Sequence, residues 1–305
     1  MPHGVNWFRV LAYETAIFGE RGRSAPRDLL LALDSTRPYN SATLMSEAIR
    51  VEALSKRFGT TAAVDGISFT IPKGEFFGFL GPNGAGKTTT MRMLATLLKP
   101  TSGKAWVNGY EISEDADGIR RSIGFAMQAV TLDPLATAWE NLLLLGALYG
   151  MSRKAARARA AELLELMQLT KVANSWIKNY SGGMRRRLDL AAVLMHKPAV
   201  VFLDEPTEGL DPAGRRVIWD YLQKLAADHG TTIFLTTHYM DEADYLCDRI
   251  SIIDKGKIVI TDSPKHLKEK VGGTLDDVFI HYTGHRIQDE ELNSKAADPY
   301  IRINT

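Results

Sequence analysis

The chain contains a nine-residue segment whose glycines, lysine and threonines suit it to hold a chain of phosphates. Gly81 to Thr89 reads Gly-Pro-Asn-Gly-Ala-Gly-Lys-Thr-Thr and fits the pattern G-x-x-x-x-G-K-[ST]. The glycines let backbone N–H groups close around phosphates, Lys87 can reach the β and γ phosphates, and the Thr88 hydroxyl can ligate magnesium. We therefore predict a site for a nucleoside triphosphate with Mg²⁺, formed by Gly81, Pro82, Asn83, Gly84, Ala85, Gly86, Lys87, Thr88 and Thr89.

The segments on either side of this loop support the prediction. Glu75 to Leu80 is a short apolar run suited to a buried strand, and apolar residues between Met91 and Leu98 recur at the spacing of one helix face. We expect a strand before the loop and, after it, a helix that Pro100 ends. The N-terminus of that helix would add a positive dipole end beside the phosphates.

Two adjacent carboxylates follow another apolar strand-like run. Val200 to Leu203 leads into Asp204 and Glu205. Asp204 can hold magnesium directly or through water, and Glu205, one residue farther out, is placed to polarise the attacking water as a general base. The alternative is an ordinary surface turn, since Asp-Glu-Pro is common turn chemistry. The presence of Lys87 favours the catalytic interpretation.

A second anion-binding pattern lies near the middle of the chain. Ser181, Gly182 and Gly183 precede an apolar helical stripe that begins at Met184, and the N-terminus of a helix attracts anions. Taken alone, Ser-Gly-Gly is more often a loop with a helix cap. One phosphate loop uses only one such helix end per nucleotide, so the purpose of the second one needs an explanation.

The order and spacing of these motifs resemble the nucleotide-binding subunits of ABC transporters over about residues 47 to 265. The resemblance implies a role for each motif at its matching position. Phe58 corresponds to the aromatic residue that stacks on adenine, and the segment Gly81–Thr89 corresponds to the Walker A loop. Gln128 corresponds to the Q-loop glutamine, and the segment Ser181–Met184 corresponds to the signature. Asp204 and Glu205 correspond to the Walker B pair, Asp211 corresponds to the D-loop aspartate, and His238 corresponds to the switch histidine.

The resemblance also implies how a complete site is built. Two such domains pair head to tail, either two copies of this chain or this chain and a homologous ATPase subunit, and each ATP lies between the Walker A loop of one and the Ser181 helix end of the other. In that arrangement Glu205 is the base, His238 bridges to the γ-phosphate, and Gln128 senses the metal and the attacking water. Magnesium would be held by Thr88, Gln128 and Asp204.

Departures from the common family pattern point to a narrower group. Tyr180 occupies the position where leucine is usual, and Met184 occupies the position where glutamine is usual. The segment Arg185–Leu188 follows Met184. This form, together with Leu275 to Phe279, resembles the daunorubicin and doxorubicin resistance type of exporter ATPase. The resemblance implies ATP-driven export of a drug, antibiotic or other amphipathic substrate through a separate permease, whose coupling helix would lie beside Gln128 to Asn141. Relatives of this type also serve lipids and polysaccharides.

The spacing of apolar residues predicts a small antiparallel sheet beside the phosphate loop. Ile49 to Leu54 and Ile67 to Ile71 alternate between apolar and polar residues, with a shift in the first run, as half-buried antiparallel strands do. Asn108-Gly109 lies between two strand-like segments and signals a type I′ hairpin. We expect these strands to form an antiparallel β subdomain.

The rest of the chain predicts helices packed on a sheet. About residues 130 to 190 form a helical insertion in which Ser152 caps a helix. Ala199 to Leu203 and Thr232 to Thr236 are compact apolar runs typical of parallel strands, and a hairpin around Lys255-Gly256 follows. The predicted fold class is α/β, a P-loop NTPase of the ABC ATPase type with a mixed core sheet, an antiparallel β subdomain and a helical insertion.

We expect three regions along the chain. The first is an extension that is disordered or that precedes the true start of the protein at Met45; the alternative is a short amphipathic arm around Phe8 to Phe18 that touches a permease or a membrane surface. The regions are 1–44, the extension; 45–265, the nucleotide-binding domain with a helical subdomain at about 130–190; and 266–305, a C-terminal extension.

Bulk composition excludes several classes of protein. The chain has 305 residues, 45% of them hydrophobic, and a formal net charge of +1, so it lacks the basic surface expected of a nucleic-acid-binding protein. Its single cysteine, Cys247, excludes an internal disulfide and fits a reducing compartment. No apolar stretch approaches the ~18 residues of a membrane span. We expect a cytoplasmic protein, without a nucleic-acid partner, held at the inner face of the cell membrane by the permease.

Two other classes of nucleotide-binding protein would carry different sequence patterns. A soluble, non-transport ABC ATPase that works on nucleic acid or ribosomes would be expected to carry a long coiled-coil insertion or two ATP domains in one chain, and neither pattern is present in the sequence. A GTP switch protein would need the base-reading pattern Asn-Lys-x-Asp, which the sequence lacks. The transport ATPase is the interpretation that the motifs favour.

Overall fold

The structure, a computed structural model, describes residues 47–126 and 132–286. Gln128 and the extension predicted for residues 1–44 lie outside these ranges, as does the chain after residue 286. Within the described ranges, no helix is long and apolar enough to cross a membrane.

A six-stranded mixed sheet forms the centre of the molecule, in the order β10-β9-β3-β8-β7-β6. Five of its strands run parallel, and β10 pairs antiparallel with β9 at one edge. This confirms the predicted parallel strands and the hairpin around Lys255-Gly256, where both turn residues have positive φ. The strands are β3 (Phe76–Leu80), β6 (Ile123–Ala126), β7 (Val200–Asp204), β8 (Thr232–Thr237), β9 (Arg249–Asp254) and β10 (Lys257–Asp262).

A separate four-stranded antiparallel sheet lies in the order β2-β1-β4-β5, as predicted. The irregularity expected in the first strand is a register shift between Val51 and Leu54. Asn108 and Gly109 have φ values of 51° and 86°, which suits the type I′ turn that the Asn-Gly pair predicts. The strands are β1 (Glu47–Phe58), β2 (Thr61–Pro72), β4 (Ser102–Val107) and β5 (Tyr110–Glu111).

Helices cover the central sheet and account for most of the described part of the stretch predicted to be helical. Ser152 caps α4 as expected, because its hydroxyl accepts a hydrogen bond from the Ala155 N–H at 3.2 Å. The helices are α1 (Lys87–Leu94), α2 (Ala116–Ser122), α3 (Ala138–Leu148), α4 (Arg153–Leu166), α5 (Gly182–Val193), α6 (Pro212–His229), α7 (Met240–Leu246), α8 (Pro264–Val271) and α9 (Leu275–Thr283), with short 3-10 turns at Thr170–Val172 and Ile177–Asn179.

The prediction that Pro100 ends the helix after the phosphate loop is wrong, because α1 already ends at Leu94. Thr96 takes a left-handed conformation with φ of 60°, and the Leu97 N–H donates to the Arg92 carbonyl at 2.8 Å. This arrangement closes the last helical turn. Apolar spacing continues past the end of the helix because Ala95 and Leu98 of the following loop also pack against the core.

Side chains bury the central sheet on both faces. Phe77 and Phe79 of β3 pack with Phe202 and Phe234 in the core shared with the antiparallel sheet. Phe76 and Leu80 of the same strand pack in the core that contains the helices. A sheet buried on both sides is a rigid support. The carboxyl ends of β3, β7 and β8 lie side by side in register, so residues that follow these strands meet at one edge.

Candidate nucleotide-binding site

The phosphate-loop segment follows β3 and has a conformation that depends on its glycines. Gly84 and Gly86 have φ values of 84° and 105°, in the region that side chains disfavour. A Cβ on Gly86 would lie 2.5 Å from the Ala63 carbonyl oxygen, and one on Gly81 would collide with the carbonyl of Ile253. Gly86 is the N-cap of α1, and no side chain caps that helix end. The loop therefore presents backbone groups at a helix N-terminus, as an anion site requires.

Lys87 is buried at the centre of the site, with 4% of its side chain exposed. Its ammonium donates to the carbonyl oxygens of Gly81 at 2.7 Å and Pro82 at 3.0 Å. It also lies 3.2 Å from Oε1 of Glu205. The lysine thus binds the oxygen atoms of its own loop and of the predicted general base.

Glu205 is held between two cationic or ionisable groups. Its Oε1 faces Lys87, and its Oε2 lies 3.2 Å from Nδ1 of His238. Burial raises the pKa of Glu205, but contacts with His238 and Lys87 outweigh it and lower that pKa from 4.5 to about 2. The carboxylate is therefore ionised at neutral pH in the free chain.

The backbone of Glu205 is in an unusual conformation for this residue type. Its φ is 47°, a left-handed value that costs free energy in residues other than glycine. The Glu205 N–H donates to the Thr236 carbonyl at 3.1 Å, and the Glu205 carbonyl accepts from the Glu208 N–H at 3.2 Å. Strain of this kind is found at functional sites, where the surroundings hold the residue in place.

Thr88 and Asp204, both predicted metal ligands, are in direct contact. The Thr88 hydroxyl donates to Oδ1 of Asp204 at 2.9 Å, and the Thr236 hydroxyl donates to the same oxygen at 2.6 Å. Oxygen ligands suit Mg²⁺, which is commonly held by one or two carboxylates together with substrate phosphates. The hydroxyl and carboxylate therefore fit the predicted metal.

The Ser181 motif forms an exposed helix end. Ser181 is the N-cap of α5, where its hydroxyl accepts from the Met184 N–H at 3.2 Å. An added Cβ would meet nothing within 4 Å at Gly182, and at Gly183 only a Leu210 side-chain carbon at 4.0 Å. This helix end has space in front of it and could accept an anion from another molecule.

Two further candidates, Phe58 and Asp211, have different surroundings. Phe58 ends β1 with 52% of its surface exposed, and Nζ of Lys56 lies 5.2 Å from its ring centroid. Asp211 caps α6, where its carboxylate accepts from the Gly214 N–H at 3.0 Å. The roles predicted for Phe58 and Asp211 in nucleotide binding stay predictions, as do those of Gln128 and Met184.

Three residues of the site were not identified from the sequence. The Thr236 hydroxyl donates to Asp204, Arg186 donates to the Asp204 carbonyl at the end of β7, and Glu242 is fully buried. Arg186 belongs to a run of three arginines, and its i, i+3 spacing to Asp189 is a signal for an ion pair along one helix face. Glu242 accepts from the hydroxyl of Thr207 at 2.8 Å, a contact between segments that sequence spacing does not predict.

Comparisons with known proteins agree with this geometry. A family model described as "ABC transporter" matches residues 64–208. The daunorubicin/doxorubicin resistance ATP-binding protein DrrA of Streptomyces peucetius is 44% identical over 252 residues, which cover 83% of this chain and 76% of that protein. The Nod factor export ATP-binding protein I of Burkholderia lata is 45% identical over 259 residues, which cover 81% of this chain and 85% of that protein.

The fold is also similar to that of a solved dimeric ATP-binding cassette in a post-hydrolysis state, bound to ADP and Pi. The sequence identity is 31% and the TM-score 0.64, and the match covers 70% of this chain and 98% of that chain. Almost the whole of that cassette thus has a counterpart here.

Proposed function

This chain belongs to the ABC transporter family of ATP-binding proteins, and we propose that it hydrolyses ATP in a head-to-tail pair that drives export through a separate membrane permease. The observation that carries the proposal is the contact of Lys87 and His238 with the two oxygens of the Glu205 carboxylate. A cation that can bind phosphate (Lys87), a carboxylate that can act as a base (Glu205) and a second group that can contact phosphate (His238) therefore lie together, next to the loop that precedes α1.

Lys87 is the side chain whose partners change when ATP binds. It contacts two carbonyl oxygens and one carboxylate in the free chain, and the β and γ phosphates offer stronger, charge-assisted hydrogen bonds. When Lys87 turns to the phosphates, Glu205 loses one of the cations that lower its pKa. Its carboxylate then becomes a better base for the attacking water.

Thr88 and Asp204 are the residues proposed to hold Mg²⁺, with Gln128 as a further ligand. When bound, the metal neutralises charge that develops on the phosphates. The Thr236 hydroxyl fixes the orientation of Asp204, so the carboxylate needs little reorganisation. His238 would contact the γ-phosphate while its Nδ1 side stays with Glu205.

The exposed end of α5 supplies the other half of the site. Ser181, Gly182 and Gly183 would bind the γ-phosphate of the ATP held by the partner's Walker A loop. Met184 and Asp211 would lie at the same contact, and Phe58 would stack on the adenine. Hydrolysis removes the phosphate that joins the two chains, and the pair separates.

We predict that Gly182→Asp abolishes ATP-dependent pairing. In Glu205→Gln protein, saturating MgATP should convert monomer to dimer, as measured by size exclusion with light scattering. Adding Gly182→Asp should leave monomer only, because the new carboxylate repels the γ-phosphate. The added side chain has free space in the single chain, so the fold should be retained.

Nucleotide binding is the control for that experiment, because the Walker A loop of the same chain is untouched. The double variant should bind a fluorescent ATP analogue with the affinity of the parent. A double variant that still dimerises with MgATP would contradict the composite site. Loss of nucleotide binding would show instead that the substitution damaged the chain.

The permease is proposed to contact the surface around the start of α3. Leu135 lies within the Gln128 to Asn141 segment and Leu144 follows it on α3, and their side chains are 59% and 58% exposed. Exposed leucines suit an apolar partner segment. Through this contact the protein would lie on the inner face of the cell membrane. Closure of the ATP pair would then move the attached permease helices.

We predict that Leu144→Glu prevents co-purification of the permease that is encoded or expressed with this chain. A charge at the centre of an apolar contact is costly to bury, whereas ATP hydrolysis by the isolated chain should change by less than ~2-fold because surface substitutions are usually near neutral. Val217→Glu on α6, also an exposed apolar position, is the matched control and should keep the permease. Equal loss with both variants, or with neither, would contradict this docking surface.

The cargo is proposed to be a drug, antibiotic or other amphipathic molecule. One relative is named for daunorubicin and doxorubicin resistance and another for Nod factor export. Because ATP-binding chains similar to this one are named for different cargoes, the permease would decide which molecule is carried. Transport by the reconstituted pair of proteins, measured with candidate substrates, tests this choice.

A further inference from the structure

Arg186 is the buried member of a run of three arginines near the start of α5. Its neighbours donate within the helical region: Nε of Arg185 to the Tyr180 carbonyl and Nη1 of Arg187 to the Met167 carbonyl, both at 3.1 Å. Arg186 instead reaches the end of β7, where Nε donates to the Pro206 carbonyl at 2.7 Å and Nη2 to the Asp204 carbonyl at 3.4 Å.

The two carbonyl groups that Arg186 contacts lie on either side of Glu205. One guanidinium therefore contacts the peptide group that precedes Glu205 and the peptide group that follows Pro206, on either side of a residue whose own φ is 47°. The fork of N–H groups suits this task because arginine presents several donors in fixed directions. Asp189, one turn along α5, lies 3.3 Å from Nη1 of the same guanidinium.

We propose that Arg186 is a positioning residue, which ties the catalytic Glu205 of one ATP site to the helix that closes the other site. This inference rests on the proposed head-to-tail pair, in which the Ser181 end of α5 binds the partner's ATP. Arg186 is one turn from that end, so a shift of α5 on contact with the partner's nucleotide moves the peptide groups around Glu205. A small misplacement of a catalytic group is enough to lower the rate strongly.

A mixed pair of inactive subunits tests the proposal. The acceptor subunit carries Gly182→Asp and the helper subunit carries Lys87→Ala, so neither subunit forms an active homodimer. Their mixture has one working site, built from the Walker A loop and Glu205 of the acceptor and the α5 end of the helper. Arg186→Gln is then placed in either subunit, and ATP turnover of the mixture is measured.

In the acceptor, Arg186→Gln should lower kcat ~10-fold or more, with KM for ATP within ~2-fold because the phosphate loop is intact. In the helper, Arg186→Gln should leave kcat within ~2-fold, because position 186 of that subunit adjoins the Glu205 of the inactive site. Equal losses in both positions would overturn the proposal and assign Arg186 to the folding of α5. No loss in the acceptor would overturn it as well.

Three further measurements distinguish a positioning role of Arg186 from failure of the head-to-tail pair and from a general effect of removing an arginine. A mixture with unchanged Arg186 that shows no turnover would contradict the head-to-tail pair itself, rather than the role of Arg186. Arg186→Lys in the acceptor should not restore the rate, since a single ammonium cannot reproduce the fork; full rescue by lysine would overturn the positioning role. Arg187→Gln is the matched control in either subunit and should leave kcat unchanged.

Discussion

Replacing Glu205 by glutamine is expected to stop ATP turnover and to leave ATP binding intact. The amide cannot accept a proton from the attacking water, and loss of a general base typically lowers a rate by ~10²- to 10⁴-fold. The substitution preserves size, and its oxygen can still face Lys87, which lies 3.2 Å from Oε1 in the native side chain. Phosphate release under saturating MgATP measures the first effect, and equilibrium titration with a fluorescent nucleotide measures the second.

A neighbouring carboxylate provides the control for this substitution. Glu208 is exposed and three residues farther along the same loop, and Glu208→Gln should release phosphate at close to the native rate. Unchanged phosphate release by Glu205→Gln would remove the general-base assignment. Loss of nucleotide binding by the same variant would show that Glu205 acts in binding, through Lys87, and not in the chemical step.

The fold could be predicted from the sequence where local pattern and tertiary structure agree. Asn108-Gly109 predicts its turn because few residues accept two successive left-handed conformations, and the strand at Val200 to Leu203 is apolar throughout because both faces of the sheet are covered. The end of α1 was misplaced for the opposite reason. Thr96 adopts a left-handed φ without any glycine or asparagine to signal it.

The candidate site also contains residues that the sequence predicts and residues that it does not. The sequence motifs predict Lys87, Thr88, Asp204, Glu205 and His238 as site residues, and the structure brings them into contact at the ends of adjacent strands. The meeting of these groups is a consequence of parallel strand order, which the sequence pattern also predicts.

The residues that hold the site in place could not be predicted. Arg186 and Glu242 act through contacts with segments distant in the chain, and their types carry no motif of their own. A buried arginine that donates to backbone carbonyls has the same local sequence as one that lies in solvent. Only the packing of α5 against the end of β7 distinguishes the two, and that packing is a tertiary property.

Lys87→Ala is expected to weaken ATP binding by ~10- to 100-fold, the value of one hydrogen-bonded charge contact of about 1.5–3 kcal/mol. The same substitution should also destabilise the free chain, because it removes one of two groups that lower the pKa of the buried Glu205 carboxylate. Breaking a buried ion pair costs about 3–5 kcal/mol when the other charge stays in place. Nucleotide titration and chemical denaturation without ATP measure the two effects separately.

A double substitution distinguishes their causes. In Lys87→Ala/Glu205→Gln protein the buried carboxylate is gone, so the free energy of unfolding should recover most of what Lys87→Ala loses. ATP binding should stay weak, because the cation that contacts the phosphates is still missing. Recovery of both properties would show that Lys87 acts only as a partner of Glu205. Recovery of neither would mean that the lysine supports the loop through the Gly81 and Pro82 carbonyl groups, and that its contact with the carboxylate contributes little to stability.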